Sequence, residues 1–198
     1  RALVSALEVL DAWHQRFGVD RSSILILEDE RMVADLLAEY FSDTYDVQHV
    51  RTGEEAIEQY TDDIDLIVVD RNLDDISGDE VATRLRAEHE QPLVLCVSGI
   101  EPDDDIAGLA YDDYIYKPVA EREVRTRLEL LLNRAGLDPT ERAYLSLRSK
   151  QIALTDAHGR AATKMEGDRE CTARIGDLEL PPEGKETVEP LLPCTADS

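Results

Sequence analysis

The sequence predicts a doubly wound α/β fold, with five parallel strands in the order 2-1-3-4-5 and amphipathic helices on both faces. Three observations carry this reading. Short aliphatic runs alternate with stretches of helical spacing between residues 23 and 132, the pattern of βαβ units. Most of the runs are almost continuously apolar, as strands covered on both faces are, whereas the second alternates Tyr45, Val47 and His49 with polar residues and so belongs at an edge. Acidic residues follow the first and third runs, where an open α/β sheet presents its ligand crevice.

The expected strands are 24–27, 45–49, 64–69, 93–97 and 114–116. Helical spacing appears in Met32, Val33, Leu36, Leu37, Tyr40 and Phe41, and again in Ala56 and Ile57 behind a Thr52 cap. It recurs in Val81 and Leu85, and in Val124, Leu128, Leu131 and Leu132. The stretch 101–110, with Pro102, three consecutive aspartates and Gly108, predicts a shortened fourth helix. Ahead of the sheet, Leu3, Leu7, Leu10 and Phe17 with a stop at Gly18 predict an N-terminal amphipathic helix within residues 1–22. Behind it, Gly136 and the Asp138-Pro139 start signal predict a helix over 139–154, with Ala143, Tyr144, Leu147 and Ile152 on its apolar face. That helix is expected to form a hairpin with the preceding one. Residues 156–180 are weakly periodic, and 181–198, with four prolines, read as a disordered tail.

Charge restricts the partners. The 198 residues hold 21 basic and 44 acidic side chains, a net charge of −23, and residues 23–119 alone carry 26 acidic against 6 basic. Such a surface repels nucleic-acid phosphates and anionic membranes. Only Lys117, Lys150, Lys164 and Lys185 are lysine, against 17 arginines, a bias that resembles proteins of salt-loving archaea. No apolar run approaches the roughly 18 to 20 residues of a membrane span, and no basic region precedes an apolar stretch with a cleavage site. Cys96, Cys171 and Cys194 form no CxxC pair, which argues against structural zinc and a disulfide framework. Arg1 is no initiator, so the chain is expected to begin inside a longer one, in a reducing cytoplasm.

Glu28 and Asp29 follow the first strand and Asp70 ends the third, so three carboxylates are expected at one mouth, where they need a cation. Oxygen ligands without nearby His or Cys suit Mg²⁺. Ser98, past the fourth strand, and Lys117, past the fifth, reach the same mouth and could meet a phosphoryl group, one by hydrogen bond and the other by charge.

The motifs LILEDE at 25–30, VVDRNLDDISG at 68–78, VLCVSG at 94–99 and YIYKP at 114–118 resemble the receiver domain of two-component response regulators, over roughly residues 22–133. The resemblance implies a flavodoxin-like (βα)5 fold and phosphorylation of Asp70 by a sensor histidine kinase. It also implies Mg²⁺ held by Glu28, Asp29, Asp70 and the Asn72 carbonyl, with Ser98 and Lys117 sensing the phosphoryl group. Tyr114 matches the aromatic switch that turns inward on activation, Gly78 the glycine closing the loop after the third strand, and the Lys117–Pro118 bond is expected to be cis. Such a module transfers a phosphoryl group to itself and releases it, and is not an enzyme in the usual sense. Asp74 departs from the family, which usually has proline there. The stretch RTRLELLLNRAGLDPTERAYLSLRSKQIAL at 125–154 resembles the HalX domain of haloarchaeal regulators, which divides the chain into 1–22, a receiver at 23–133, a HalX-like region at 134–180 and a tail at 181–198.

Two alternatives stand beside this reading. A DNA-binding transcription regulator would act through the C-terminal helices, although residues 120–150 carry 7 basic and 5 acidic side chains and no helix-turn-helix signature. A Mg²⁺-dependent phosphohydrolase using Asp70 as nucleophile would want an acid two residues on, where Asn72 stands. The apolar faces Val124/Leu128/Leu131 and Tyr144/Leu147/Ile152 exceed what a helical hairpin buries. They predict packing on the rest of the chain or on a second copy, with a two-fold homodimer favoured and the output partner unnamed.

Overall fold

A computed structural model describes residues 21–89, 92–180, 184–185 and 188–193. The N-terminal helix expected within 1–22 falls almost entirely outside these residues. Five strands, β1 (Ser23–Leu27), β2 (Asp46–Val50), β3 (Leu66–Val69), β4 (Val94–Ser98) and β5 (Asp113–Tyr116), form one parallel sheet in the order 2-1-3-4-5. β2 is the partly exposed edge, while the residues of β3 and β4 are all buried. The alternating polarity of one and the continuous aliphatic character of the others have this as their cause.

Strand alternation divides the core in two. Ile24, Ile26, Val68, Leu95, Val97 and Ile115 face one side, where α1 (Arg31–Phe41) brings Leu37 and Phe41 and α4 (Glu121–Leu132) brings Val124, Leu128 and Leu131. Leu25, Leu27, Ile67, Val69, Val94 and Cys96 face the other, covered by α2 (Gly53–Gln59) and α3 (Gly78–Glu88). Thr52 caps α2 by accepting from the Glu55 N–H, and Ser77 caps α3 by accepting from that of Glu80.

The connection from β4 to β5 contains one 3₁₀ turn, Ile106–Gly108, and no α-helix. Pro102, Gly108 and the run of aspartates leave too few helix formers for a longer element. The uncovered strip of sheet is filled instead from the C-terminal region. α5 (Pro139–His158), opened by a capping box between Asp138 and Glu141, packs against β5 and places Ala153 and Leu154 in the same core cluster as Cys96 and Tyr114. A 3₁₀ segment, Gly159–Lys164, adds Ala162 to that cluster, and α6 (Glu166–Gly176) packs on α5 and on the 3₁₀ turn after β4.

One expectation is corrected here, and the packing bears on two others. α4 and α5 do not pair as a hairpin, because they cover opposite faces of the sheet. The apolar faces that argued for a two-fold homodimer are satisfied within the chain: Val124, Leu128 and Leu131 are fully buried, and so, nearly, are Tyr144, Leu147 and Ile152. The described residues of 181–198 make contacts with the rest of the chain, with Val188 buried, the Tyr144 hydroxyl donating to Glu189 at 2.9 Å and Arg134 donating to the Leu191 carbonyl at 2.8 Å. The weak periodicity of 156–180 conceals a helix whose single deeply buried apolar side chain is Cys171.

Buried ion pairs tie these layers. Arg127 of α4 meets Asp113 of β5 at 2.9 Å and Asp156 of α5 at 3.3 Å. Arg134, 1% exposed, donates to the Asp112 carbonyl and to the Ser149 hydroxyl. Removing one partner of such a pair costs far more than the pair contributes, since a buried charge is then left alone. Cys96 and Cys171 are buried free thiols. Among the described residues no helix is long and apolar enough to cross a membrane.

Candidate functional site

At the carboxyl ends of β1, β3, β4 and β5 the parallel register brings Glu28, Asp70, Ser98 and Lys117 to one mouth. The Lys117 ammonium bridges Glu28 Oε2 and Asp70 Oδ2, each at 2.7 Å. The Ser98 hydroxyl donates to Asp70 Oδ1 at 2.7 Å, and the Asn72 N–H donates to the same oxygen at 3.0 Å. Asp70 is 9% exposed and Glu28 2%. Burial pushes the Glu28 carboxyl up, with Lys117 pulling it back. For Lys117 burial acts downward, but the hydrogen bonds to Asp70 and Glu28 outweigh it and hold the ammonium charged. The Lys117–Pro118 peptide is cis.

The loop leaving β3 returns so tightly that the Gly78 N–H donates to the Arg71 carbonyl at 3.0 Å. A Cβ at Gly78 would collide with the Asp70 carbonyl oxygen and with Val69 Cγ1. Glycine here is a requirement of backbone approach, and the approach fixes the main chain that carries Asp70.

Asp29 lies beside this group, half-buried, and its side chain makes no hydrogen bond or ion pair with the described residues. Its carbonyl accepts from Arg51 at 2.9 Å. Glu28 and Asp70 share the mouth, but joined through Lys117 rather than through a free carboxylate cluster. Glu28 is occupied by Lys117 and by the Glu30 N–H, and no three His, Cys, Asp or Glu side chains are gathered for a metal among the described residues. The oxygens left over are the Asp29 carboxylate, the remaining lone pairs of Asp70 and the Asn72 carbonyl. That donor set fits Mg²⁺, which takes one or two carboxylates and keeps several waters.

Tyr114 points inward, 1% exposed, its hydroxyl donating to the Ile100 carbonyl at 2.6 Å. Burial pushes its phenol up. The ring packs in the same cluster as Ala153, Leu154 and Ala162 of the C-terminal region.

Residues to which the sequence assigned no role at the site extend it sideways. Arg71, next to Asp70, pairs with Asp79 at 3.1 Å and with Asp105, and the Tyr111 hydroxyl donates to Asp79 at 2.6 Å. Asp104 accepts from the Gly167 N–H at 3.1 Å and the Pro102 carbonyl contacts His158 Nε2 at 2.7 Å, so the loop after β4 is bound to the C-terminal helices. Arg71 lies inside the motif at 68–78, but nothing local marks its pairing. Apart from Asp79, eight positions from Arg71, the partners lie tens of positions away.

Comparison with known proteins agrees with this geometry. The family described as the response regulator receiver domain matches residues 24–129. A Haloferax volcanii protein whose name describes it as a transcriptional regulator is 32% identical over 132 residues, covering 66% of this chain and 23% of the relative. The response regulator ArlR of Staphylococcus haemolyticus is 33% identical over 117 residues, covering 57% and 53% of the two chains. This chain therefore spans from about a quarter to about half the length of these curated relatives. Among solved structures, the TrrA response regulator of Thermotoga maritima in complex with Mg²⁺ and BeF superposes with a TM-score of 0.51 at 25% identity, covering 56% of this chain and 98% of that one. The non-phosphorylated HemR receiver domain of Leptospira biflexa gives 0.53 at 26% identity, covering 57% and 94%. Sheet order, site geometry and the match over residues 24–129 lead to one conclusion: the chain belongs to the response regulator receiver domain family.

Proposed function

We propose that this protein accepts a phosphoryl group on Asp70 from a sensor histidine kinase, and that the resulting aspartyl phosphate switches a binding output. The observation that carries this reading is the placing of the Asp70 carboxylate between the Lys117 ammonium and the Ser98 hydroxyl. A carboxylate oxygen of Asp70 attacks phosphorus, the P–N bond to the donor imidazole breaks, and its electron pair returns to that ring. Lys117 meets the charge that develops on the phosphoryl oxygens, and Ser98 is free to exchange its bond to Asp70 for one to a phosphoryl oxygen. Asp29, Asp70 and the Asn72 carbonyl would hold Mg²⁺, with Glu28 steadying Lys117; when bound, the ion offsets repulsion between phosphoryl group and carboxylates. The Mg²⁺ and BeF in the Thermotoga relative support that assignment.

Residues 134–180 are read as HalX-like, on the resemblance of 125–154 and on their place directly behind the receiver. Direct DNA binding is disfavoured, because Arg127, Arg134, Arg142 and Lys150, most of the basic side chains of 120–150, are buried and cannot meet the phosphate backbone of a duplex. A phosphohydrolase is disfavoured by Asn72, whose N–H serves Asp70 and whose side chain offers no acid.

Incubation with a small phosphodonor and Mg²⁺ in molar salt should give one base-labile phosphate per chain, mapped to Asp70, with none in Asp70→Asn. Label retained in that variant would refute the assignment.

A further inference from the structure

Between α3, the approach to β5 and the facing sides of α5 and α6 lies a cavity of about 580 Å³. Its charge is the reverse of the chain's. Arg86 from α3, Arg142 and Lys150 from α5, and Arg174 from α6 line it, against the carboxylates of Asp112 and Asp177. Four cations less two anions leaves the lining at +2, in a protein of net charge −23.

One of the two carboxylates is already fully engaged. Asp112 Oδ2 accepts from the Val94 N–H and from Arg86, each at 2.9 Å, and Oδ1 faces Arg142 at 3.8 Å. Arg86 also donates to the Ala110 carbonyl, and Arg174 to that of Ala107. Lys150 is less well provided. Only 4% exposed, its ammonium donates to the Leu109 carbonyl at 2.6 Å and forms no ion pair among the described residues. Of its three N–H donors, one has a hydrogen-bond partner among the described residues. A buried ammonium in that state is unfavourable unless a counter-charge reaches it, and burial accordingly pulls its pKa down to about 8. The helical spacing of Arg142, Ser146 and Lys150 aligns polar groups along one stripe of α5 facing the cavity, while Leu147 and Leu178 supply apolar wall. Few convergent polar groups on an apolar lining is the usual construction of a small-molecule site.

We propose that this cavity binds a small organic anion, its compact oxyanion headgroup, carboxylate or phosphate, meeting Lys150 and the neighbouring arginines, and its apolar body resting on Leu147 and Leu178. The site is separate from Asp70 and does not depend on phosphorylation. Its walls come from the sheet domain and from the C-terminal helices together, so neither part alone forms it.

The test is an amide NMR titration of the full chain at constant ionic strength in potassium chloride, with phenyl phosphate and benzoate as probes. Saturable shifts confined to α3, α5, α6 and residues 108–112 are expected for at least one probe, and the tighter of the two identifies the headgroup. Lys150→Met and, independently, Arg174→Gln should each weaken binding about tenfold or more, the usual effect of removing one charge-assisted hydrogen bond, with unchanged circular dichroism. Absence of saturation with both probes, equal affinity in the folded variants, or the same shifts from added chloride alone would overturn the proposal.

Discussion

Leu154→Ala tests whether the C-terminal helix is part of the sheet's own core or an appended module. Leu154 is fully buried in the cluster that holds Val94, Cys96, Tyr111 and Tyr114, on the face left open by the missing β4–β5 helix. Truncating a leucine in such a site costs about 2 to 5 kcal/mol, the upper end applying where neighbours cannot collapse into the gap. Here the floor of the gap is hydrogen-bonded sheet, which cannot move inward, so a loss of about 3 kcal/mol is expected. For a chain of this length that corresponds to a fall in Tm of about 6 to 12 °C. Thermal and urea unfolding followed by circular dichroism in molar potassium chloride would measure it, with Met32→Ala, at an exposed site, as a control expected within about 0.5 kcal/mol of the parent. The transition should remain single, because sheet and helix share one core. A change under about 1 kcal/mol, or a separate early transition of the helices with the sheet unaffected, would show that α5 does not complete the core.

Three further outcomes follow from the geometry. Asp29→Ala should weaken Mg²⁺ binding and phosphorylation of Asp70 together while leaving the fold intact, as read by titration calorimetry and phosphate incorporation; unchanged Mg²⁺ affinity would remove Asp29 from the metal site. Gly78→Ala, forcing a Cβ against the Asp70 carbonyl, should destabilise by about 1 to 3 kcal/mol, the cost of overpacking, and slow phosphorylation; a neutral result in urea unfolding would mean that the loop relaxes. Lys150, with a folded pKa of about 8 against an ordinary 10.5, binds fewer protons folded than unfolded between those values. Its penalty is therefore full below pH 8 and relieved as pH rises, so the stability of the parent relative to Lys150→Met should increase by about 2 kcal/mol between pH 7 and 9.5; a flat difference would show the ammonium to be solvated.

The sequence by itself determined the sheet and the mouth of the site. Strand order was legible because period and polarity report burial directly: β2 alternates where an edge must, and β3 and β4 run apolar where both faces are covered. Glu28, Asp70, Ser98 and Lys117 were legible because in a parallel sheet each strand delivers its last residue to the same end, so position along the chain fixes position in space. Only the tertiary structure decided what covers β4 and β5. Helical spacing in 139–158 declares an apolar face but not its partner, and hairpin, dimer and sheet all satisfy it. The choice falls to the sheet because the β4–β5 connection is too poor in helix formers to cover its own strip. Burying Ala153 and Leu154 there removes the vacancy and the exposed face together. The contact of Arg127 with Asp156 and the cationic cavity follow from that docking. They join charges from elements far apart in sequence, and no local pattern encodes such meetings.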